Sequence, residues 1–333
     1  MKRIRIAQIG TSKNSHGNQV WNSMVKQSEI FDVVGYAFPE NEREKFSDYA
    51  RSFDGYREMT VEDILNDPEI EAVTVETEEI YLTKYAQMGA KAGKHLHMEK
   101  PGGTEFSEFK KLIDILKDKQ LVFSTGYMYR FNPKIQEAIA KVKSGELGQI
   151  YAVEAHMSCK HSTEVRRWLR MFPSGMLFFL GCHLIDLVYQ IQGEPMEVLP
   201  LSCSTGIDGI FSQDYGMAVF RYPNGLSFVK TSANECGGFM RRQLVICGEK
   251  GTIEIKPLEV FLPNGQYTAS AEAYSEDWNQ PWEVSQTDLY DRYDGMMRNF
   301  AEMIRGKDNP YSYDYELSLY RLILQSCGKE IAL

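Results

Sequence analysis

The sequence predicts an α/β domain with a parallel sheet, followed by an α+β domain whose open sheet is predominantly antiparallel. Over the first 125 residues strand-like runs alternate with helical patterns, and such alternation requires crossover connections between parallel strands. After Pro195 strands and tight turns dominate, and Pro223-Asn224-Gly225 is the strongest hairpin signal. A chain of 333 residues is long enough for two domains, which we expect at residues 1–126 and 127–333.

The elements of the first domain follow from apolar periodicity and from helix-end signals. Thr60-Val61-Glu62-Asp63 has the capping-box pattern and opens a short helix, and Thr104 is expected to cap the helix that contains Phe106. Gly93 suits the position just after a helix end. We expect strands at residues 4–9, 31–38, 70–75, 94–98 and 121–124, and helices at residues 18–27, 41–52, 61–67, 82–92 and 104–116.

The second half has longer strands and a strongly apolar helix. Residues 266–288 are polar and receive no assignment. We expect helices at residues 133–143, 175–190, 289–305 and 313–326, a strand at 149–158, and a hairpin from 217–222 and 226–231.

Composition excludes several classes of function. The net charge of −9 argues against a nucleic-acid partner, because phosphate binding requires a basic face. No apolar run approaches 18 residues, so we expect no membrane span, and residues 1–10 are interpreted as a first strand rather than a signal peptide. The six cysteines are scattered without a CxxC pair, which favours free thiols in a cytoplasmic protein and no metal site.

The loop after the first strand resembles a dinucleotide-binding loop. It lies where a G-x-G-x-x-G motif would lie, with Gly10, Ser12 and Ser15 at the three key positions. Gly10 permits the tight turn, and the helix that follows offers N–H groups to a phosphate. We therefore expect Gly10, Thr11, Ser12, Ser15 and His16 to contact a dinucleotide.

The residue expected to bind the adenosine ribose is absent from its usual place. An acid should end the second strand, but the chain has Phe38 there, and we include Phe38 among the cofactor-lining residues. Glu40 or Arg43 could reach the ribose or a 2′-phosphate, although we interpret both as ordinary surface residues.

Three further stretches carry residue types suited to chemistry. Glu99-Lys100-Pro101 ends an apolar strand, where open parallel sheets bind ligands, although a solvated lysine is the alternative. Arg130 and Asn132 could orient a polar substrate or join the two domains. His183 shares a helical face with Asp186 and is either a core histidine or a proton-transfer group.

Together these stretches resemble the Gfo/Idh/MocA oxidoreductase family. The resemblance rests on Ala92-Gly93-Lys94-His95, Glu99-Lys100-Pro101, Arg130-Phe131-Asn132-Pro133 and Gly181-x-His183-x-x-Asp186. It implies a Rossmann domain that binds NAD or NADP, a mixed-sheet second domain, an active site between them, and a homo-oligomer, either a dimer or a tetramer. It also implies a sugar, inositol or polyol substrate and a role in carbohydrate metabolism. Lys100 and His183 would be catalytic, and Thr77, Glu99 and Lys100 would lie beside the cofactor.

The substrate-binding residues are a separate expectation. A basic and aromatic stretch between the strand at 149–158 and the apolar helix either walls the pocket or forms a basic surface loop. The expected substrate contacts are Tyr127, Arg130, His156, Arg167, Trp168 and His183.

One departure from the family pattern bears on activity. The family's catalytic aspartate lies four residues before the histidine, and that position is Phe179 here. The favoured hypothesis is an active NAD(P)-dependent oxidoreductase. The alternatives are a dinucleotide- or sugar-binding regulatory protein that has lost turnover, and a redox-assisted lyase or glycosidase.

Overall fold

The computed structural model describes residues 2–275, 277 and 279–331 and divides into two compact units. The first unit comprises residues 1–128 and 293–320, and the second comprises 129–292 and 321–333. Residues 293–320, which the sequence assigned to the second domain, thus pack with the first unit. This segment is tied to the first unit by long-range contacts: Ser23 donates to Asp294 at 2.8 Å, and Tyr320 donates to the Gly103 carbonyl at 2.8 Å.

The first unit is built on a five-stranded parallel sheet in the order β2-β1-β3-β4-β5. The four residues of β3 are all buried, as expected for a central strand covered on both faces. The strands are β1 (Ile4–Ile9), β2 (Phe31–Ala37), β3 (Ala72–Val75), β4 (His95–Met98) and β5 (Phe123–Thr125). Strand order reverses between β1 and β3, which creates the crevice where such sheets bind ligands.

Helices connect these strands, and their ends test the capping predictions. Thr60 caps its helix with both bonds of the capping box, as predicted. Thr104 does not cap the helix that follows, because that helix begins at Phe106 with Glu105 before it. The helices are α1 (Gly17–Lys26), α2 (Glu42–Lys45), α3 (Ser47–Ala50), α4 (Val61–Asn66), α5 (Leu82–Lys91) and α6 (Phe106–Asp118).

The second unit contains an eight-stranded mixed sheet in the order β15-β14-β11-β10-β6-β9-β8-β7. Only the pair β6–β9 is parallel, so the predominantly antiparallel prediction is confirmed. The strands are β6 (Ile150–Ser158), β7 (Glu197–Cys203), β8 (Tyr215–Tyr222), β9 (Gly225–Ser232), β10 (Gln243–Gly248), β11 (Thr252–Ile255), β12 (Val260–Leu262), β13 (Gly265–Tyr267), β14 (Ala269–Ala273) and β15 (Glu283–Gln286). The expected hairpin is β8–β9, and β12 and β13 form a separate ribbon.

The remaining helices complete both units. They are α7 (Pro133–Ser144), α8 (Thr163–Trp168), α9 (Cys182–Gln192), α10 (Asp294–Ile304) and α11 (Tyr313–Ser326). A π-helical segment, Leu177–Gly181, leads into α9, and the division between the units falls within α11. In the described parts of the chain, no helix is both long and apolar enough to cross a membrane.

The loop after β1 gives a first prediction, which compares two glycines with positive φ. A Cβ at Gly10 (φ +88°) would lie 2.3 Å from Thr77 Cγ2, whereas a Cβ at Gly93 (φ +77°) would meet nothing within 4 Å. We expect Gly93→Ala to lower the free energy of unfolding by about 1 kcal/mol, from backbone strain alone. Gly10→Ala should lower it by about 2–4 kcal/mol, because overpacking is added to the strain. Urea unfolding of both variants checks this, and equal midpoints would contradict it.

Candidate active site

The carboxyl ends of β3 and β4 place four polar side chains together in the first unit. Glu76 and Thr77 follow β3, and Glu99 and Lys100 follow β4. All four are at most 1% exposed. Because ligands bind beyond the carboxyl ends of parallel strands, this edge is the candidate site of the first unit.

Gly10 lies directly against the turn that follows β3. A side chain there would clash not only with the Thr77 side chain but also with the Thr77 backbone nitrogen, at 2.7 Å. Buried Gln8 fixes the loop by donating to the carbonyls of Gly10 and Gly17, at 3.0 and 3.1 Å. The first glycine of the loop is thus required for the close approach of two strand ends, and Thr77 lies directly against the loop.

The two serines of the loop satisfy its backbone N–H groups. The Ser12 N–H donates to Ser15 Oγ at 3.1 Å, and the N–H groups of Asn14 and Ser15 donate to Ser12 Oγ at 3.2 Å. The Gly17 N–H donates to Ser15 Oγ, also at 3.2 Å. A phosphate that binds this loop must compete with these bonds, which a glycine at position 12 or 15 would not form.

Thr11 and Phe38 have different surroundings. The Thr11 N–H donates to Oε2 of Glu42 at 3.1 Å, so a carboxyl group does reach the loop. Half-buried Phe38 packs against the rings of Tyr36 and Phe53, with centroid distances of 4.7 and 4.9 Å. Phe38 is therefore part of an aromatic cluster, and its ring offers no acceptor to a ribose.

Lys100 is buried rather than solvated. It is 1% exposed, and its Nζ lies 3.6 Å from Oε1 of Glu99. Nδ1 of His16 lies 3.2 and 3.1 Å from the two Glu99 oxygens. Burial alone would raise the pKa of Glu99, but the facing His16, and after it Lys100 and His97, lower that pKa to about 2. The surface-lysine alternative is therefore wrong, and Lys100 is a buried cation beside an ionised carboxylate.

Two further carboxyl groups surround this pair. Burial raises the pKa of Glu79 to about 8 despite the opposing effect of Lys100, and burial together with Glu99 raises the pKa of Glu76 well above its usual value. Nε2 of His97 lies 3.7 Å from Glu76, and burial lowers the pKa of His97 to about 4. Glu99 is therefore the ionised member of the three carboxyls, whereas the pKa values of Glu76 and Glu79 are shifted toward the protonated form.

The carboxyl edge of the parallel sheet has features that suit a dinucleotide. Gly10 allows the loop to approach β3 closely, and α1 begins at the end of the loop. Among the residues that the structure describes, neither Glu79 oxygen has a hydrogen-bond partner from another residue, and Oε1 of Glu42 has none. Buried carboxyl groups of this kind are satisfied by ordered water or by the polar groups of a ligand.

In the second unit, His183 is packed against an aromatic ring. It is 1% exposed, and the Tyr129 ring meets it edge to face at a centroid distance of 5.5 Å. The Tyr129 hydroxyl donates to Oε1 of Glu259 at 2.6 Å, and Arg242 and Arg292 donate to the same oxygen at 3.3 and 2.5 Å. Burial and then Glu259 raise the pKa of Tyr129, so the ring that contacts His183 is held by a neutral hydroxyl in a charged network.

Arg130 is bound to Asp186 within the second unit. Its Nε lies 3.0 Å from Oδ2 of Asp186, its Nη2 lies 2.8 Å from Oδ1, and both side chains are at most 2% exposed. Gln190 also donates to this carboxylate, at 2.9 Å. This bidentate pair favours a structural role for Arg130 over the predicted substrate contact, because guanidinium donors are engaged by Asp186.

The other expected substrate-binding residues differ in exposure. Tyr127, in the first unit, is 2% exposed. His156 on β6 is buried, and its Nε2 lies 2.9 Å from Ser158 Oγ and 3.1 Å from Glu235 Oε2. Burial and then Lys230 lower the pKa of His156. Arg167 is exposed and Trp168 is half-buried, both in α8.

Phe179 belongs to a small apolar cluster. It packs with the buried residues Leu169, Met176 and Ala233. Its ring meets that of Trp168 edge to face at 5.0 Å. The position at which the family pattern has an aspartate is thus filled by a well-packed ring.

The sequence did not point to several of the residues that surround Lys100 in the first unit and His183 in the second. Glu76 and Glu79 follow a buried strand just as Glu99 follows β4, so the same signal, charge after a strand end, would have identified them. Glu42 and Glu259 reach their partners from distant parts of the chain, and no local pattern marks them.

Glu79 gives a prediction for stability against pH. Its pKa is raised from 4.5 to about 8 in the folded protein, so between these values the folded state binds more protons than the unfolded state. Stability therefore falls as pH rises, by about 1.4 kcal/mol per pH unit from this group. Glu79→Gln should flatten this slope in urea unfolding between pH 5 and 8, whereas the exposed control Glu62→Gln should not. An unchanged slope in Glu79→Gln would contradict the raised pKa.

Phe179 gives a second prediction. Phe179→Asp would place a carboxylate among apolar side chains and should lower the free energy of unfolding by about 3 kcal/mol or more. Phe179→Leu keeps the apolar contact and should cost about 1 kcal/mol. Thermal unfolding of both variants checks this, and equal stability of Phe179→Asp and Phe179→Leu would show that the cluster admits a charge.

Two family models match the chain. The model of the oxidoreductase family with an NAD-binding Rossmann fold matches residues 4–127. The model of the GFO/IDH/MocA C-terminal domain matches residues 135–254. Each match falls on one of the two sheets described above.

Curated relatives are similar at lower identity. An uncharacterised oxidoreductase of Rhizobium meliloti is 26% identical over 97% of this chain and 96% of its own. Levoglucosan dehydrogenase of Pseudarthrobacter phenanthrenivorans is 29% identical over 49% of this chain and 42% of its own. Myo-inositol 2-dehydrogenase of Thermotoga maritima is 23% identical over 57% of this chain and 58% of its own. This chain spans only 38–54% of the length of several other relatives that it matches.

Solved structures share the fold over nearly the whole chain. An oxidoreductase from Desulfitobacterium hafniense aligns with a TM-score of 0.81 at 17% identity, over 98% of this chain and 95% of its own. A 3-ketoreductase from Actinomadura kijaniata, solved with NADP and TDP-benzene, aligns with a TM-score of 0.79 at 14% identity, over 97% and 96%. The predicted fold class is confirmed, and the match to the NAD-binding Rossmann model confirms a nicotinamide dinucleotide as the cofactor class. With a matching model on each sheet, the chain belongs to the GFO/IDH/MocA family of oxidoreductases, and its first unit has that family's NAD-binding Rossmann fold.

Proposed function

We propose that this oxidoreductase is an NAD(P)-dependent dehydrogenase or reductase that acts on the CH–OH group of a sugar, inositol or related polyol. The observation that carries the proposal is the buried Lys100 ammonium at the carboxyl end of β4, beside the ionised Glu99. Two relatives named as dehydrogenases of levoglucosan and myo-inositol support this substrate class.

Lys100 and His183 carry the proton and charge chemistry in this proposal. Lys100 donates a hydrogen bond to the reacting oxygen and stabilises the negative charge that develops there, an effect that burial strengthens. His183 exchanges the hydroxyl proton, and the Tyr129 ring holds its imidazole in place. The nicotinamide, when bound, supplies the redox chemistry. Gly10, Thr11, Ser12, Ser15, His16, Thr77 and Glu99 are the residues that we propose hold the cofactor.

The substrate contacts are proposed more narrowly than the sequence suggested. Tyr127, His156, Arg167 and Trp168 keep the proposed role. Arg130 loses it, because its guanidinium holds Asp186. Trp168 offers an aromatic face of the kind that sugar rings pack against. An edge-to-face contact with the Phe179 ring fixes the orientation of that face.

One observation favours a second candidate function, a dinucleotide- or sugar-binding protein of the same fold with impaired turnover. Phe179 fills the position of the family's aspartate and packs tightly, so no carboxylate stands one turn before His183. This candidate predicts that the cofactor binds and that no polyol is oxidised.

Lys100→Ala tests the proposed function. The wild-type protein is first titrated with NADH and NADPH by tryptophan fluorescence, and the cofactor that binds is used to screen sugars and polyols for turnover. Lys100→Ala should lower kcat/KM on any accepted substrate by about 100-fold or more, because it removes transition-state charge stabilisation. An exposed lysine of α5 gives the matched control, Lys91→Ala, which should retain wild-type turnover.

Three outcomes separate the candidates. A large loss of kcat/KM in Lys100→Ala, measured under conditions in which circular dichroism shows the variant folded, supports the dehydrogenase, because removal of one partner of a buried ion pair also lowers stability. A loss of less than about tenfold would remove Lys100 from the catalytic role. Cofactor binding without turnover on any polyol, sugar or ketone would favour the binding protein.

A further inference from the structure

Glu42 is a buried acid that touches the loop after β1. It opens α2, five residues after the end of β2, and is 0% exposed. Its Oε2 accepts a hydrogen bond from the Thr11 N–H at 3.1 Å. A residue beyond the second strand therefore contacts the loop that follows the first.

The second oxygen of this carboxyl group is less well satisfied. Among the residues that the structure describes, Oε1 of Glu42 makes no well-formed hydrogen bond, although the Glu78 N–H is near enough to the carboxyl group to lower its pKa. Buried polar atoms in folded proteins are almost always hydrogen-bonded, so an oxygen without a well-formed bond indicates a further partner. A hydroxyl group of a ligand is such a partner.

The sheet order indicates which hydroxyl groups would come here. The crevice opens where strand order reverses beside β1, and a dinucleotide lies across it with its pyrophosphate at the loop that contains Thr11. The adenosine ribose then lies toward the end of β2, where an acid usually accepts hydrogen bonds from its two hydroxyls. Phe38 holds that position in this chain, and Glu42 is the carboxyl group that reaches the loop from the same side.

The charges around the end of β2 oppose a second phosphate. Arg43 is bound by Glu58 at 2.6 Å and by Tyr36 at 2.7 Å. Lys84 is bound by Glu40 at 2.6 Å, and Lys45 lies 4.0 Å from Glu78. With Glu42 included, the side chains named here are four acids and three bases, so a 2′-phosphate would meet cations that are already paired.

We propose that Glu42 binds the adenosine ribose hydroxyls and makes this chain select NAD over NADP. The inference rests on the cofactor site of the proposed function, and it names a residue outside the position where an acid is expected. Glu42 accepts from the loop with one oxygen and from the ribose with the other. In NADP a phosphate is attached to the 2′-oxygen of the ribose, so this Glu42 oxygen would face an anion instead of a hydroxyl group that donates a hydrogen bond.

The preference should depend on pH. Burial raises the pKa of Glu42 to about 9, and the charge of the Glu78 carboxyl adds to this. The N–H groups of Thr11 and Glu78 and the Lys45 ammonium oppose it. Ribose hydroxyls donate to the ionised form, so NADH binding favours loss of the proton and NADH affinity should rise between pH 7 and 9. A 2′-phosphate favours the protonated form, so NADPH affinity should fall over the same range and the preference should widen.

The test is a set of fluorescence titrations with NADH and NADPH at pH 7 and pH 9. Wild type should bind NADH about tenfold or more tightly than NADPH at pH 9, the effect of one charge-assisted hydrogen bond. Glu42→Gln, nearly isosteric, should reduce the preference to within about threefold and remove its pH dependence. The matched control is Glu44→Gln, an exposed acid of the same helix, which should bind like wild type.

The outcomes distinguish this inference from the proposed function. Equal binding of the two nucleotides by wild type, or tighter binding of NADPH, would overturn the role of Glu42 and leave the dehydrogenase proposal standing. A wild-type preference that persists in Glu42→Gln would also overturn it. Binding of neither nucleotide would overturn both.

Discussion

The burial of Lys100 is the constraint on which the carboxyl edge of the parallel sheet depends. A buried ammonium needs a carboxylate beside it, and Glu99 supplies one from the adjacent position in the chain. Glu99 in turn is ionised because His16 meets both of its oxygens from the residue just before α1. One ion pair at the end of β4 therefore fixes the start of the helix that follows β1, and with it the loop in front of that helix.

The same constraint limits which neighbouring groups can ionise. Three carboxyl groups share a dry space with one lysine, and like charges so close together cannot all be ionised. Glu99 is ionised, whereas the pKa of Glu76 is raised and that of Glu79 is raised to about 8. The acids near Lys100 thus titrate together. An apparent pKa measured there belongs to the coupled group of acids and not to one residue.

Features that depend on local sequence could be predicted, and features that depend on distant contacts could not. The five parallel strands, the Thr60 capping box and the hairpin β8–β9 follow from periodicity and from turn residues. The contact of Glu42 with Thr11 joins residues 31 positions apart, and the bond of Tyr129 to Glu259 joins residues 130 positions apart. No window of sequence contains both partners of such a pair.

Residues 293–320 illustrate the same limit at the level of domains. Their amphipathic helices were predicted, but helical periodicity does not say against which sheet an apolar face will pack. The choice is made by contacts such as Tyr320 against Phe109, with a centroid distance of 4.4 Å, and Thr125 donating to Glu316 at 2.9 Å. Membership of the first unit is therefore a property of these particular side chains and not of the order of elements.

The second unit uses most of its buried charges for structure, and this explains how Phe179 is tolerated. Arg130 binds Asp186, and the Tyr129 hydroxyl binds Glu259 together with two arginines, so both networks are internally satisfied. An aspartate at position 179 would need a partner of its own in a cluster of apolar side chains, whereas phenylalanine needs only contact. His183 is accordingly oriented by the packing of Tyr129 rather than by a carboxylate at position 179. Packing can fix the position of an imidazole, but it does not raise the basicity of that imidazole as a carboxylate would. Any chemistry that His183 performs must therefore proceed without the help of a carboxylate at position 179.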